Sequence, residues 1–381
     1  MIPYGRQDIR QEDVDEVVAT LRSDFLTQGP RVPAFEKAVA SAVGAPHCVA
    51  VNSATSALHI ACLALGLGKG DLLWTSPITF VASANVGHLC GADVDFVDID
   101  PETFNMSAAA LAQKLEAAKA AGRLPKVLMP VHMCGQSADM AAIGALAREY
   151  GVAVIEDASH AVGGRYQDQT VGACAHSDIA VFSFHPVKIV TTAEGGAATT
   201  QSAELAERMR LLRSHGVTRD ADLMRGDSHG PWYYQQIELG LNYRLTDLQA
   251  ALGVAQMRRL DEYVARRNEL AQRYDRLLSD LPVQRPGRDN QAYSAFHLYI
   301  VRVDPDRRRA VFEHLRANGI GVNVHYIPVH TQPYWQRFGF GLGQYPAAED
   351  YYARAISLPL YPTMSEDDQD TVVRVLSEAL A

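Results

Sequence analysis

From residue 47 onward, short runs of apolar and β-branched residues alternate with Ala- and Leu-rich stretches whose apolar positions recur at helical spacing. HCVAVNS precedes ATSALHIACLALG, and DLLWTSPIT precedes FVASANVGHLCG. DVDFVDID, KVLMPVHM and VAVIED follow, several separated by further helical segments. Continuously apolar strands interleaved with helices predict an α/β fold with a mainly parallel central sheet covered on both faces.

After AHSDIAVFSF and GGAATT the pattern changes. LTDLQAALGVAQMRRLDEYVARRNELAQRYDRLLSD reads as one long helix, capped by Thr246 and fit to connect two domains. Its charges, among them Arg258, Arg259, Asp261, Glu262, Arg266 and Arg267, read as a solvated face. FHLYIVRV, RRRAVFEHLRANG, GVNVHY and DQDTVVRVLSEALA then suggest a smaller α/β domain. The expected division is a large domain over 1–245 and a small one over 246–381.

Composition narrows the function classes. A chain of 381 residues with 48% apolar and 21% charged residues can bury a large core, and a net charge of -9 opposes general attraction to nucleic acid or an anionic membrane. The start MIPYGRQDIRQEDVDEVV lacks a basic, apolar leader, and no run is long enough to span a bilayer, so a cytoplasmic protein is expected. Five cysteines without CxxC spacing fit reduced thiols, and the 13 histidines give no HExxH pattern, so no metal site is expected.

Polar residues that directly follow apolar strands are the candidates for chemistry, because ligands of open parallel sheets sit beyond the strands' carboxyl ends. After HCVAV come Ser53, Ala54, Thr55 and Ser56, which open a helix and read either as a cap or as a phosphate cradle. Asp157 ends VAVIED and reads either as a turn residue or as a catalytic carboxylate. After DIAVF, SFHPVK brings Ser183 and Lys188 to the same edge. A phosphate cradle, a strand-end carboxylate and a strand-end lysine are the three parts needed to hold pyridoxal 5'-phosphate. Lysine forms a Schiff base with its aldehyde and then moves protons as a free amine, while the carboxylate keeps the ring nitrogen protonated.

SDFLTQGP, VNSATSALHIACLALG, SPITFVASAN, VIEDASHAVG, SFHPVKIVTTAEGG, LGLNYRLTDLQAALG and VNVHYIPVHTQPYW occur in this order along the chain. In that combination the sequence resembles the sugar-nucleotide aminotransferases of the DegT type, with the aspartate-aminotransferase-like fold type I architecture. The resemblance implies that Lys188 anchors the cofactor and Asp157 pairs with the pyridine nitrogen. It further implies that Phe80 stacks on the ring, that His160 lies near the ring oxygen, and that Ala54, Thr55 and Ser183 hold the phosphate. Phe80 also reads as a core aromatic, His160 as a turn cap, and His185 as a structural residue. Asn242 in LGLNYR matches an asparagine that completes the partner subunit's phosphate site, which implies a homodimer with shared active sites.

PYGRQDI, SDFLTQGP and the HPVK setting look most like the C4 aminotransferases that make UDP-4-amino-4,6-dideoxy-N-acetyl-β-L-altrosamine for pseudaminic acid synthesis. The implied reaction moves an amino group from L-glutamate to the C4 ketone of a UDP-linked 2-acetamido-2,6-dideoxy-hexos-4-ulose. Tyr4, Thr27, Gln28, His325, Tyr326 and His330 are the candidates for the sugar-nucleotide side. Ile189 departs from relatives that carry proline after the lysine. An aminotransferase for another nucleotide keto-sugar, C3 or dTDP-linked C4, stays open as an alternative, as does a regulatory protein that retains the fold.

Overall fold

A computed structural model describes residues 1–381. Seven strands form the central sheet: β1 (His47–Val51), β2 (Leu72–Thr75), β3 (Asp93–Phe96), β4 (Val127–Met129), β5 (Ala153–Asp157), β6 (Ile179–Ser183) and β7 (Gly196–Thr200). Their order is β1-β7-β6-β5-β4-β2-β3. Every adjacent pair is parallel except those made by β7, which runs antiparallel to both β1 and β6. Register places Asp157 opposite Val181 and Ser183 opposite Gly196, so the residues expected to carry chemistry emerge side by side.

The central strands are mostly apolar because both faces are covered. Val49, Val51, Ile155 and Val181 pack with the helix α1 (Ala54–Ala64) on one face. Phe182, Ala197 and Ala50 pack on the other with Phe35 and Val39 of a preceding helix. No helix is long and apolar enough to cross a membrane.

The stretch expected to be one long helix is two, α2 (Asp247–Met257) and α3 (Leu260–Leu277), interrupted at Arg258 and Arg259. Thr246 caps α2 with Gln249 in a reciprocal capping box, as expected. Two charges assigned to a solvated face are instead buried. Arg259 pairs with Asp13 at 2.6 Å and with Glu12, and Arg267 donates to three backbone carbonyls. Partners more than 25 residues away in sequence outweigh the local charge pattern at both positions.

A second core forms around β8 (Tyr299–Arg302), antiparallel to β9 (Ala355–Leu358), with Leu270 and Tyr274 of α3 and Val372 and Leu376 of the closing helix. Leu260 and Val264 still belong to the first core, so the change of core falls inside α3 and not at residue 245. The N-terminal residues also join the second body: Ile2 exchanges backbone hydrogen bonds with Gly319 and Gly321, and Leu360 N–H donates to Tyr4 O at 3.1 Å.

Candidate active site

One cavity of about 410 Å³ opens where the carboxyl ends of β1, β5 and β6 meet the second body. Ser53, Ala54, Thr55, Phe80, Ser83, Asp157, His160, Ser183 and Lys188 line it from the sheet side; Tyr4, His297, His325 and Tyr326 line it from the other.

Ser53 caps α1 by accepting the Ser56 N–H at 3.1 Å. Ala54 and Thr55 occupy the first two helical positions, whose N–H groups have no acceptor within a helix and which carry the positive end of its dipole. A Cβ on Gly196 would stand 2.5 Å from Ala54 N, so only glycine lets β7 pass beneath this helix start. The cap and cradle readings are therefore compatible: Ser53 caps, and the next two residues face the cavity.

Asp157 is buried and fixed by two hydroxyls. Ser83 donates to Oδ2 at 2.6 Å, and Ser159 donates to Oδ1 at 2.6 Å through its hydroxyl and at 3.2 Å through its N–H. The backbone is held as well, by Asp157 N–H to Pro130 O and His132 N–H to Asp157 O. Lys188 Nζ lies 3.5 Å from His297 Nε2. Burial pulls the lysine down to about 8, against the opposing pull of the Asp157 charge.

His160 shares a 3.1 Å hydrogen bond with the Tyr326 hydroxyl through Nε2, while its Nδ1 is buried without a protein partner. Burial, then the charge of Lys188, drives it well below the usual histidine range and keeps it neutral. His325, held by Ser357 Oγ at 2.7 Å, is pushed down to about 4 for the same two reasons. Phe80 is 58% exposed, which removes the reading of it as core and leaves its ring on the cavity wall, 6.1 Å from that of Tyr326.

Four expected residues do not line this cavity. His330 is fully buried, 3.0 Å from Glu349 and packed against Tyr345, which corrects its placement on the substrate side. Thr27 and Gln28 lie on an exposed turn where Thr27 bridges Thr246. Asn242 is exposed, bridging Ser214. The sequence reading missed Ser83, Ser159 and His297. Ser159, two residues after an aspartate, carried a local signal; Ser83 and His297 arrive from distant segments.

These residues fit pyridoxal 5'-phosphate. A helix start with Ser183 suits its dianion, a doubly anchored carboxylate suits its ring nitrogen, and the orphaned His160 Nδ1 offers a polar contact. No group of three or more His, Cys, Asp or Glu residues is placed to hold a metal ion. The sequence profile of the DegT/DnrJ/EryC1/StrS aminotransferase family matches residues 7–377. The chain belongs to this family.

The family is dependent on pyridoxal phosphate, and its members include sugar aminotransferases of the same architecture. The chain is 42% identical, over 99% of its length and 96% of the relative's, to the spore coat polysaccharide biosynthesis protein SpsC of Bacillus subtilis. Its structure resembles the putative sugar aminotransferase Spr1654 of Streptococcus pneumoniae in its PMP form, with TM-score 0.91, 30% identity and 100% and 99% of the two chains covered. It equally resembles PseC of Helicobacter pylori, an aminotransferase of pseudaminic acid biosynthesis, with TM-score 0.90, 30% identity and the same coverage. The expectations of a fold type I sugar aminotransferase and of its cofactor therefore stand.

Proposed function

We propose that this chain transfers the amino group of L-glutamate to the C4 ketone of a UDP-2-acetamido-2,6-dideoxy-hexos-4-ulose, giving UDP-4-amino-4,6-dideoxy-N-acetyl-β-L-altrosamine for pseudaminic acid synthesis. The placement of Lys188, Asp157 and the start of α1 on one cavity supports the transfer chemistry. The likeness to PseC supports the substrate. Five unpaired cysteines are compatible with a reducing, cytoplasmic setting.

When bound, pyridoxal phosphate supplies an aldehyde carbon and an electron-accepting ring. Ala54, Thr55 and Ser183 would hold its phosphate, Phe80 would lie against its ring, and His160 would stand beside it. Asp157, held by Ser83 and Ser159, accepts the ring N–H and keeps its negative charge there. Lys188 is the amine that takes and returns a proton at Nζ; a value near 8 makes the neutral amine far more accessible at physiological pH than in an ordinary lysine, although the ammonium still predominates. Tyr4, His325 and Tyr326 present hydroxyl and imidazole groups to the sugar side, and the three histidines near the lysine, His160, His297 and His325, stay neutral and so do not compete with it for charge.

Asn242 serves the neighbouring subunit of a homodimer in this reading. Its exposure outside its own chain's cavity supports this, as do the exposed apolar side chains of Trp232, Ile237 and Leu239 in the same segment. Lys188→Ala and a disabling Asn242 variant, each inactive alone, should recover roughly a quarter of wild-type activity when refolded together, since about half the dimers then carry one intact site of two. No recovery among exchanged dimers would place both residues in one chain's site.

The 42% identity to SpsC, named for spore coat polysaccharide, favours a second reading: another nucleotide keto-sugar, C3 or dTDP-linked C4. A panel of keto-sugar nucleotides with L-glutamate, read by mass spectrometry and NMR, separates the two. Amination at C4 of the UDP sugar is expected; a product made only from a dTDP sugar, or aminated at C3, would replace the first reading. Cofactor binding with no turnover on any of them would instead favour a regulatory protein.

A further inference from the structure

Arg267 is among the largest fully buried side chains of the molecule and has no carboxylate partner. One terminal nitrogen, Nη1, donates to Phe296 O at 3.1 Å, His297 O at 3.3 Å and Leu360 O at 3.0 Å. A buried guanidinium without a counter-ion is costly to keep, and three carbonyl dipoles compensate only in part. What it fixes is the turn that carries His297.

The same turn is clamped from the opposite side. Ala295 N–H donates to Gly135 O at 2.9 Å and Leu298 N–H to Cys134 O at 3.2 Å. A Cβ on Gly135, whose φ is 104°, would meet Phe296 N at 2.8 Å, His160 O at 2.9 Å and His297 N at 3.0 Å. Between them Phe296 is held at φ 46°, in the left-handed region that a phenylalanine rarely adopts. The outcome of this construction is one imidazole, with Nε2 3.5 Å from Lys188 Nζ and its ring 4.4 Å from that of His160.

We propose that neutral His297 is the acceptor that holds the Lys188 amine in line whenever that amine is free, and that Arg267 is the positioning residue that fixes His297 from behind. The inference rests on Lys188 being the reacting amine. An amine released into a cavity on a flexible four-carbon stem has the freedom of that stem to lose, and misplacement by about 1 Å costs on the order of a hundredfold in rate. The charged and titratable groups acting on His297 are Lys188, His160, Arg267 and His325, and Asp157 acts on the lysine. Burial first, then Lys188, His160 and Arg267, keeps His297 well below the usual histidine range and so leaves one ring nitrogen free to accept; Nδ1 is buried without a protein partner, and Nε2 is the nitrogen that faces Lys188. Burial lowers the guanidinium only to about 10, which leaves Arg267 charged at neutral pH.

The test uses the full chain freed of cofactor, with the pH dependence of Lys188 acetylation read by peptide mass spectrometry. His297→Phe should move the midpoint down by about one unit, because the ammonium loses its acceptor, and His297→Gln should restore most of the shift. In the cofactor-loaded enzyme His297→Phe should slow the glutamate half-reaction about a hundredfold, with glutamate affinity nearly unchanged. Arg267→Lys should slow it about tenfold in the wild-type background and hardly at all on top of His297→Phe, since it acts through the same group. An unshifted midpoint in His297→Phe overturns the acceptor role, as does a His297→Gln variant no better than phenylalanine. Losses that simply add overturn the positioning role of Arg267. If wild-type protein gives no visible band with pyridoxal phosphate, the underlying site reading fails instead, and that result is separable because the acetylation profile needs no cofactor.

Discussion

The two walls of the cavity are built in different ways. Asp157 and Ser183 leave adjacent parallel strands, β5 and β6, whose register fixes their separation, and Lys188 follows within one short turn. Tyr4, His297, His325 and Tyr326 come from three separate segments of the second body, each held by hydrogen bonds or packing distant in sequence. The sheet wall is thus set by topology and the opposing wall by tertiary contacts. On the proposed reading, the amine and the carboxylate sit on the first wall, while the second carries the groups proposed for the sugar side together with His297, whose placement depends on tertiary contacts.

The comparison is broken most severely at Lys188. Lys188→Ala should retain the fold and lose at least about 10⁴-fold in turnover, since one group is both anchor and proton carrier. Lys188→Arg should be no better, because guanidinium supplies no neutral amine at working pH. Spectral titration with pyridoxal phosphate and a glutamate half-reaction would check both, and a half-reaction near the wild-type rate in either variant would remove Lys188 from the chemistry. Asp157→Asn comes next, with an expected loss of about 10²- to 10³-fold in the same half-reaction, because an amide cannot hold the ring nitrogen protonated. Ser83 and Ser159 would still bond the amide, so the melting temperature should change little. A near wild-type rate would mean that another carboxylate serves the ring.

The sheet wall was legible because strand-end position is a topological property. HCVAV, VAVIED and DIAVF mark three strands by local composition alone, and the residue types that follow them suffice to recognise the chemistry. Its supporting contacts were only half legible: Ser159 is local to Asp157, whereas Ser83 reaches it across 74 residues. The second wall was poorly legible. Arg259 sits at the break between helices, and Arg267 falls on the apolar stripe of α3 between Val264 and Ala271, where its charge argued for solvent; only Asp13 and three backbone carbonyls make their burial tolerable. His297, in the FHLYIVRV run, carried no local signal of its own, and its nearness to Lys188 depends on that buried arginine. The break between α2 and α3 also lacked a Pro or Gly, so a continuous helical pattern concealed it.

The smallest effect on catalysis is expected at His330, which shares a motif with His325 and yet lies outside the cavity. Its Nε2 contacts Glu349 Oε1 at 3.0 Å, and the same carboxylate accepts N–H bonds from Gly343 and Tyr345. Its ring packs against Tyr345, whose hydroxyl in turn donates to Asp95 on β3. His330 therefore ties the second body to the sheet. Replacing it with alanine leaves a void and removes one partner of Glu349, which should lower unfolding stability by about 2 kcal/mol. Well below the melting temperature, the glutamate half-reaction and kcat/KM for the keto-sugar should stay within about twofold of wild type. Urea denaturation beside steady-state kinetics measures both. A variant of unchanged stability with a tenfold rise in KM for the sugar nucleotide would return His330 to the substrate side and show that the two walls share more than the cavity lining indicates.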